Sequence, residues 1–167
     1  NTLKSYSVDI RDIDVFAARG GGLNNLDSGT YPVNDKILYH TKIGFAGKHP
    51  CILAARIAHE FAQEAGGVAF VVDPPGVDEF DNIARVTGFH EVWRDCHTHA
   101  LNQKAVAKRC ANDLRRSYEE CNFIVAHLGG GVTITAHRNG RMIESTDIQN
   151  GNGPMAPTRA GTLDRKS

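Results

Sequence analysis

Short apolar runs alternate with longer helical patterns along the first two thirds of the sequence. Residues 13–18 and 68–72 are rich in β-branched and aromatic side chains, and each run predicts a buried strand. Between them, residues 51–65 have an apolar residue at every fourth position, which predicts an amphipathic helix that Gly66 ends. Strand, helix and strand in this order predict an α/β layered fold that contains parallel strand pairs.

A second helix is predicted over residues 100–118, because apolar side chains return there with a helical period. Its apolar face consists of Ala107, Cys110, Ala111, Leu114 and Tyr118. The basic side chains lie mostly elsewhere and predict a solvated face; they are Lys104, Lys108, Arg115 and Arg116.

The pattern changes after the second helix. A buried strand is predicted at residues 123–126, and residues 132–145 then alternate between apolar and polar on both sides of Asn139-Gly140. Alternation around an Asn-Gly pair predicts an antiparallel hairpin. The change near residue 121 predicts that residues 1–120 are the remainder of a first α/β domain and that residues 121–167 begin a second, truncated domain.

Composition excludes several classes of protein. The 167 residues allow one sizeable core, and 19 basic residues balance 19 acidic ones, so net charge does not favour nucleic acid or a membrane surface as a partner. No apolar run reaches the roughly 20 residues that span a bilayer, and no signal peptide is recognisable, which predicts a soluble protein. The four cysteines form no CxxC pair, so we expect thiols in a reducing cytoplasm and no protein-built metal site.

Glycine runs mark the candidate binding loops. Gly129, Gly130 and Gly131 lie between two predicted strands, where exposed backbone N–H groups can surround phosphate oxygens. His127 is close enough in sequence to donate to the same phosphate. The alternative is a plain hairpin loop beside a core histidine.

Two arginines also lie in glycine-flanked loops. Arg19 precedes three glycines at the end of the first predicted strand, and Arg159 lies in residues 151–167, which predict a glycine- and proline-rich loop without a partner element. Arginine among small residues suits bidentate binding of a carboxylate or a phosphate. Ordinary solvation of each side chain is the alternative.

Asp73, His97 and His99 are further candidates. Asp73 ends a predicted strand and could orient a carboxylate, bind magnesium or cap the turn at Pro74. The two histidines could ligate a metal at the end of a strand, as in a metal hydrolase, but they precede a helix and lack convincing ligand spacing. We expect His97 to be a surface or capping residue.

Four stretches in this order closely resemble butyrate kinases of the acetate kinase family. They are Ser28–Asn34 (SGTYPVN), His99–Ala107 (HALNQKAVA), Val125–Gly131 (VAHLGGG) and Asn150–Gly161 (NGNGPMAPTRAG). The resemblance implies an incomplete two-domain actin-like ATPase fold, the ribonuclease H-like fold shared with sugar kinases and heat-shock ATPases. It also implies reversible phosphoryl transfer from ATP, with Mg²⁺, to a short-chain carboxylate such as butyrate, and a homodimer as the expected assembly.

The resemblance also implies roles for individual residues. Arg19 and Arg159 would clamp the carboxylate and the transferring phosphoryl, and Asp73 would orient the carboxylate or the metal. His99 would contact the phosphoryl, and His49 matches the other active-site histidine of the family by its place before the first long helix. The second phosphate loop would consist of His127, Gly129, Gly130 and Gly131.

Departures from the family pattern lead to two further expectations. The family's first strand and phosphate-binding turn would precede Asn1, and its adenosine-binding half would follow Ser167, so we expect this chain alone to be inactive. The Thr158–Gly161 form of the arginine loop is similar to that of acetate kinases, which leaves the acyl-chain preference open. The alternative reading is an inactive actin-like fragment that binds a nucleotide or a partner.

Overall fold

The computed structural model describes residues 2–21, 23–47, 49–147 and 153–162. The chain forms two compact units, one from Asn1–Asn24 with Ser28–Pro74 and the other from Asn25–Asp27 with Pro75–Ser167. The predicted boundary near residue 121 lies inside the second unit. The division into residues 1–120 and 121–167 stays a prediction.

The first unit is a three-stranded sheet with helices. Its strands are β1 (Val15–Ala18), β2 (Thr30–Pro32) and β3 (Val68–Val72), in the order β1-β3-β2. β1 runs parallel to β3 with Ala18 opposite Val71, while β2 is antiparallel to β3. The predicted parallel pair is therefore confirmed, although Val15 of β1 is 52% exposed rather than buried. The α-helices of this unit are α1 (Thr2–Ser5), α2 (Asp35–Ile43) and α3 (Leu53–Ala65).

Helix α3 confirms the predicted element but not its buried face. Leu53, Ile57 and Phe61, which define the apolar repeat, are each almost half exposed. The buried residues of the helix are small: Ala55, Ala58 and Ala62. α3 packs against β1 and β3, and alanines let a helix backbone lie close to strands. Gly66 ends the helix with a φ of 75°, as the sequence predicts.

The second unit joins a helix to an antiparallel meander. Helix α4 (Ala100–Asp113) precedes β4 (Asn122–Leu128), β5 (Val132–Arg138) and β6 (Arg141–Ser145), which pair in sequence order. Asn139 and Gly140 both have positive φ, 49° and 79°, as a tight hairpin turn requires. The predicted hairpin is confirmed.

The core between α4 and β4 corrects the predicted apolar face of the second helix. Ala107, Ala111 and Tyr118 are buried there against Val125, whereas Leu114 is 58% exposed. Cys110 is exposed as well. The α-helix ends at Asp113, and Tyr118 follows in a separate 3-10 turn, so residues after 113 do not keep the helical period.

Strand β5 buries its polar face. Thr133, Thr135 and His137 are at most 2% exposed, while Ile134 between them is 38% exposed. The buried hydroxyls are paired; for example, the Thr135 and Ser145 hydroxyl oxygens lie 2.8 Å apart. This layer of polar groups is stable only because its members hydrogen bond to one another.

Lys104 lies in the same buried region, which corrects its predicted place on a solvated face. Its ammonium group lies 2.8 Å from Glu79 Oε2 and donates to the Gly140 carbonyl at 3.2 Å, and its side chain is only 3% exposed. Glu79 Oε2 also accepts a hydrogen bond from the Met142 amide at 2.9 Å. The pair therefore ties α4 to the hairpin.

Replacing Lys104 should destabilise the protein strongly, because a buried carboxylate without its partner costs about 3–5 kcal/mol. We expect Lys104→Met to lower the free energy of unfolding by an amount of that order in urea denaturation. The double variant Lys104→Met, Glu79→Gln should recover part of the loss, since the neutral amide can still accept from Met142. Lys108→Met on the exposed part of α4 is the control, and equal losses at positions 104 and 108 would contradict the prediction.

Candidate functional site

In the first unit, the candidate residues lie where two parallel strands end. Arg19 directly follows β1 and Asp73 directly follows β3. The carboxyl ends of parallel strands lie at one edge of a sheet, which is the usual location of binding groups in α/β proteins. Arg19 is exposed and Asp73 is 6% exposed.

The glycines after Arg19 are required by close packing. A Cβ on Gly20, whose φ is 71°, would lie 2.3 Å from Val71 Cγ1, and one on Gly21 would lie 2.4 Å from Cys51 Sγ. Both distances are shorter than atoms allow, so these positions exclude any side chain. Gly22 lies outside the described residues.

Asp73 is held by the segment before β2. Its Oδ1 atom accepts hydrogen bonds from the Ser28 hydroxyl at 2.7 Å and the Gly29 amide at 2.8 Å. Its own amide donates to the Gly29 carbonyl at 2.9 Å. The backbone at Asp73 has a φ of 37°, a conformation that costs of order 1–3 kcal/mol for a residue with a side chain. The hydrogen bonds of Asp73 described above thus join it to Ser28 and Gly29 rather than to the turn at Pro74.

His49 and Arg19 both lie beside Cys51. His49 Nδ1 accepts a hydrogen bond from the Cys51 amide at 3.1 Å and so caps the short 3-10 turn at Pro50–Ile52. Burial raises the pKa of the Cys51 thiol, and the positive charge of Arg19 opposes that shift. The structure thus gives His49 a local capping contact and leaves its substrate-binding role a prediction.

In the second unit, His99 and His127 form a stacked pair. His99 precedes the first turn of α4 and His127 lies near the end of β4, and their rings are 3.8 Å apart at 14°. His127 Nδ1 lies 2.8 Å from Asn102 Oδ1, and His99 Nδ1 lies 2.9 Å from the Thr133 hydroxyl. Each imidazole is therefore oriented by a second polar side chain.

The three-glycine loop brings Arg159 to this histidine pair. A Cβ on Gly131 would lie 2.1 Å from Arg159 Nη1 and 3.5 Å from His99 Cε1. The guanidinium and the His99 ring thus share the space over Gly131, and a side chain at this position would displace the Arg159 guanidinium. A Cβ on Gly129 would lie 2.9 Å from His127 Nε2.

The arginine loop packs on the glycine loop. The Thr158 amide donates to the Gly130 carbonyl at 3.3 Å, and the Thr158 hydroxyl also bonds to it. Ala156 and Arg159 exchange two backbone hydrogen bonds, of 2.9 and 3.1 Å, that close a tight turn. Residues 153–162 therefore have a partner, contrary to the prediction, while residues 148–152 and 163–167 lie outside the described residues.

The predicted site residues fall into two sets, one in each unit. The first unit holds Arg19, His49 and Asp73, and the second unit brings together His99, His127, Arg159 and the three glycines of residues 129–131.

Three further residues of the second set escaped sequence reasoning: Asn102, Gln103 and Thr133. Asn102 and Gln103 lie within the stretch that begins at His99, three and four residues on, where a helix returns to the same face. That spacing from His99 could have identified Asn102 and Gln103 as candidate site residues. Thr133 carried no signal, because its inward direction depends on the reversed burial of β5.

His97 is an ion-paired residue rather than a surface one. Its side chain is 12% exposed, and Nδ1 lies 3.9 Å from a carboxylate oxygen of Asp147, an ion-pair distance. Asp147 raises the pKa of His97, against the opposing effect of burial. Asp147 and Arg159 are both among the residues that line a small cavity of about 20 Å³.

Comparison with known proteins finds a family match over the part of the chain that contains the second set. The sequence profile of the acetokinase family matches residues 86–166, which include the histidine pair, the glycine loop and the arginine loop. These residues are therefore similar to the corresponding part of the acetokinase family. The matched segment begins before α4 and extends past Arg159.

Relatives cover nearly the whole chain. It is 43% identical over 163 residues to a probable butyrate kinase from Elusimicrobium minutum (strain Pei191) and 45% identical over 161 residues to butyrate kinase 2 from Clostridium acetobutylicum. These alignments include 98% and 96% of this chain but only 44% and 45% of the two relatives. The chain therefore spans less than half of their length.

The fold is that of solved acyl kinases. A propionate kinase from Francisella tularensis subsp. tularensis SCHU S4 superposes with a TM-score of 0.65 at 21% identity, over 98% of this chain and 44% of that one. The predicted fold class, an incomplete actin-like α/β fold, is thereby confirmed. Among the described residues, no helix is long and apolar enough to cross a bilayer.

The His97–Asp147 pair predicts a pH dependence of stability. Because the pKa of His97 is raised in the folded protein, its contribution is complete below the ordinary histidine pKa of about 6.5 and is lost as pH rises through the folded value. We expect Asp147→Asn to lower the pKa of His97 in an NMR titration and to remove this loss from the unfolding free energy. Glu91→Gln, at the exposed His90–Glu91 pair, is the control and should change neither quantity. An unchanged His97 titration in Asp147→Asn would contradict the prediction.

Proposed function

We propose that the complete protein is an ATP-dependent carboxylate kinase that converts a short-chain fatty acid into its acyl phosphate, with butyrate as the preferred substrate. The observation that carries this proposal is the meeting of Arg159 and the His99 ring over Gly131. A guanidinium, an imidazole edge and a glycine backbone suit an anion with several oxygens, such as a phosphoryl group in transfer.

The second set supplies what phosphoryl transfer requires of a protein. The transferring group carries its charge on three equatorial oxygens, so catalysis depends on positioning and on hydrogen-bond donors. Arg159 offers a planar pair of donors, and His99 offers a ring nitrogen. The glycine loop at residues 129–131 admits oxygens close to the backbone, and His127 stacks on His99 and limits its rotation.

In the first unit, Arg19 and Asp73 have complementary proposed roles. Arg19 is exposed at the end of β1 and suits the carboxylate of the acid substrate. Among the described residues, the hydrogen bonds of the Asp73 side chain are on Oδ1, so Oδ2 is the oxygen that a ligand would meet. An oxygen ligand of this kind fits Mg²⁺, which would reduce the negative charge on the ATP phosphates when bound.

The reaction is balanced without a strong general base. A carboxylate is already ionised at neutral pH, so one of its oxygens can attack the γ-phosphorus directly. A carboxylate–phosphorus bond forms while the bond from phosphorus to the β–γ bridging oxygen breaks, and ADP leaves. Arginine, histidine and backbone N–H groups are sufficient for such a step.

Substrate, location and assembly are the finer parts of the proposal. The two butyrate kinases that resemble the chain along nearly its whole length support butyrate over acetate. We place the reaction in the cytoplasm, where ATP is available and the four cysteines would remain thiols. We expect a homodimer for the complete protein. The chain of 167 residues should be inactive alone, since it spans under half of these relatives.

The test is acyl phosphate formation, trapped as the hydroxamate, from ATP with acetate, butyrate and isobutyrate. The complete protein and the 167-residue chain are assayed side by side. We expect hydroxamate from the complete protein only, with the highest kcat/KM for butyrate. A complete protein that folds and binds ATP but forms none with any acid would reject the kinase and favour a non-catalytic nucleotide-binding protein.

Arg159→Ala should reduce kcat of the complete protein by about 10²–10³-fold, the usual effect of losing one donor to developing charge. Arg109→Ala, at an exposed position of α4, is the matched control and should retain the parent rate. Steady-state kinetics with saturating ATP and butyrate provide the measurement. Equal rates for the two variants would remove Arg159 from the proposed mechanism.

A further inference from the structure

Five polar side chains form a continuous hydrogen-bonded chain that ends at His99. Tyr118 Oη lies 2.6 Å from His137 Nδ1, and His137 Nε2 lies 3.3 Å from Gln103 Oε1. Gln103 Nε2 lies 2.7 Å from Thr133 Oγ1, which is 2.9 Å from His99 Nδ1. Tyr118, His137, Gln103 and Thr133 are all buried, so each must find its partners inside the protein.

The direction of each bond follows from the Gln103 amide. Its Nε2 atom also lies 3.2 Å from the Thr133 carbonyl oxygen, which can only accept, so the NH₂ group must face Thr133. Oε1 therefore faces His137, whose Nε2 must donate. Burial and the nearby charge of Lys104 lower the pKa of His137 to about 4, so this ring is neutral at pH 7 and its Nδ1 accepts from Tyr118.

The Thr133 hydroxyl then determines which atom donates in the hydrogen bond between Thr133 and His99. Its oxygen accepts a hydrogen bond from the Gln103 amide, and its own hydroxyl hydrogen needs an acceptor because Thr133 is fully buried. Among the described residues, the hydroxyl oxygen has one other hydrogen-bond neighbour, His99 Nδ1. His99 Nδ1 is therefore an acceptor, and the proton of the neutral ring lies on Nε2.

We propose that Gln103 and Thr133 are positioning residues that hold His99 in the tautomer protonated on Nε2, so that His99 donates a hydrogen bond to the anionic group bound over Gly131. The inference rests on the proposed function for the nature of that group. The geometry is compatible with this role, because Cε1, which is bonded to both ring nitrogens, would lie 3.5 Å from a Cβ on Gly131, and Nδ1 is the nitrogen that contacts Thr133.

The tautomer decides whether His99 attracts or repels the bound anion, because only an Nε2 atom that carries a proton can donate to phosphoryl oxygens. A His99 ring protonated on Nδ1 would present the lone pair of Nε2 to phosphoryl oxygens. Loss of one donor to developing negative charge typically reduces kcat by about 10²–10³-fold. A tautomer change at His99 should have an effect of that size, with a smaller effect on KM.

The first experiment compares two buried threonines of β5 in the complete protein. Thr133→Val and Thr135→Val each remove one fully buried hydroxyl from the same strand, but only Thr133 contacts His99. Nitrogen-15 NMR of labelled histidines, with the His99 signal assigned through His99→Gln, reports the tautomer. We expect the Nε2–H pattern in the parent and in Thr135→Val, a mixture of tautomers in Thr133→Val, and recovery in Thr133→Ser. A parent His99 protonated on Nδ1 would overturn the proposal.

A second variant keeps the proposal testable if Thr133→Val fails to fold. In Gln103→Glu, the carboxylate can accept from the Thr133 hydroxyl but cannot donate to it. Thr133 would then accept from His99 Nδ1–H, so the His99 signal should move to the Nδ1–H pattern and kcat should fall about 10²-fold or more. An unchanged His99 signal in Gln103→Glu, at a pH where the introduced carboxyl is ionised, would contradict control by Gln103.

The kinetic arms separate this inference from the proposed function. An active parent whose Thr133→Val and Thr135→Val variants lose kcat equally would overturn the positioning role. A parent that forms no hydroxamate, but whose His99 signals follow the predicted pattern, would support the tautomer control and reject the carboxylate kinase. Parent-like kcat in Thr135→Val and Thr133→Ser, with loss in Thr133→Val, would support both.

Discussion

Buried polar groups between α4 and the β4–β6 sheet must be satisfied without water, and this requirement organises the second unit. Thr133, Gln103 and His137 meet it by bonding to one another, and Lys104 meets it by pairing with Glu79. The bonds of Gln103 to Thr133 and His137 fix the position of α4 along the sheet. Because His99 directly precedes α4, the same register places His99 beside the glycine loop.

Close approach of backbone is the second constraint, and it acts in both units. Gly20 and Gly21 admit Val71 and Cys51, while Gly131 admits Arg159 and His99. In each case a side chain on the glycine would occupy the space of a neighbouring residue. Asp73, at the end of β3, has a strained φ of 37°, which is the kind of local cost that proteins retain at functional sites.

The predictions that held depend on local chemistry. The hairpin at Asn139-Gly140, the stop of α3 at Gly66 and the parallel pair β1–β3 follow from turn residues and from short apolar runs. The predictions that failed concern which face of a helix is buried. Leu53 is almost half exposed and Leu114 is 58% exposed, whereas Lys104 is buried, because helical periodicity does not say which side another element will cover.

The sequence by itself determined the elements, the glycine loops and the residue types able to bind a phosphoryl group, because backbone freedom and side-chain chemistry are local properties. It also carried the stretches that relate the chain to butyrate kinases. Only the tertiary structure decided that Thr133 points inward, that Gln103 lies between Thr133 and His137, and that Arg159 reaches Gly131. A strand with alternating residues has two faces, and the partner that covers one of them is distant in sequence.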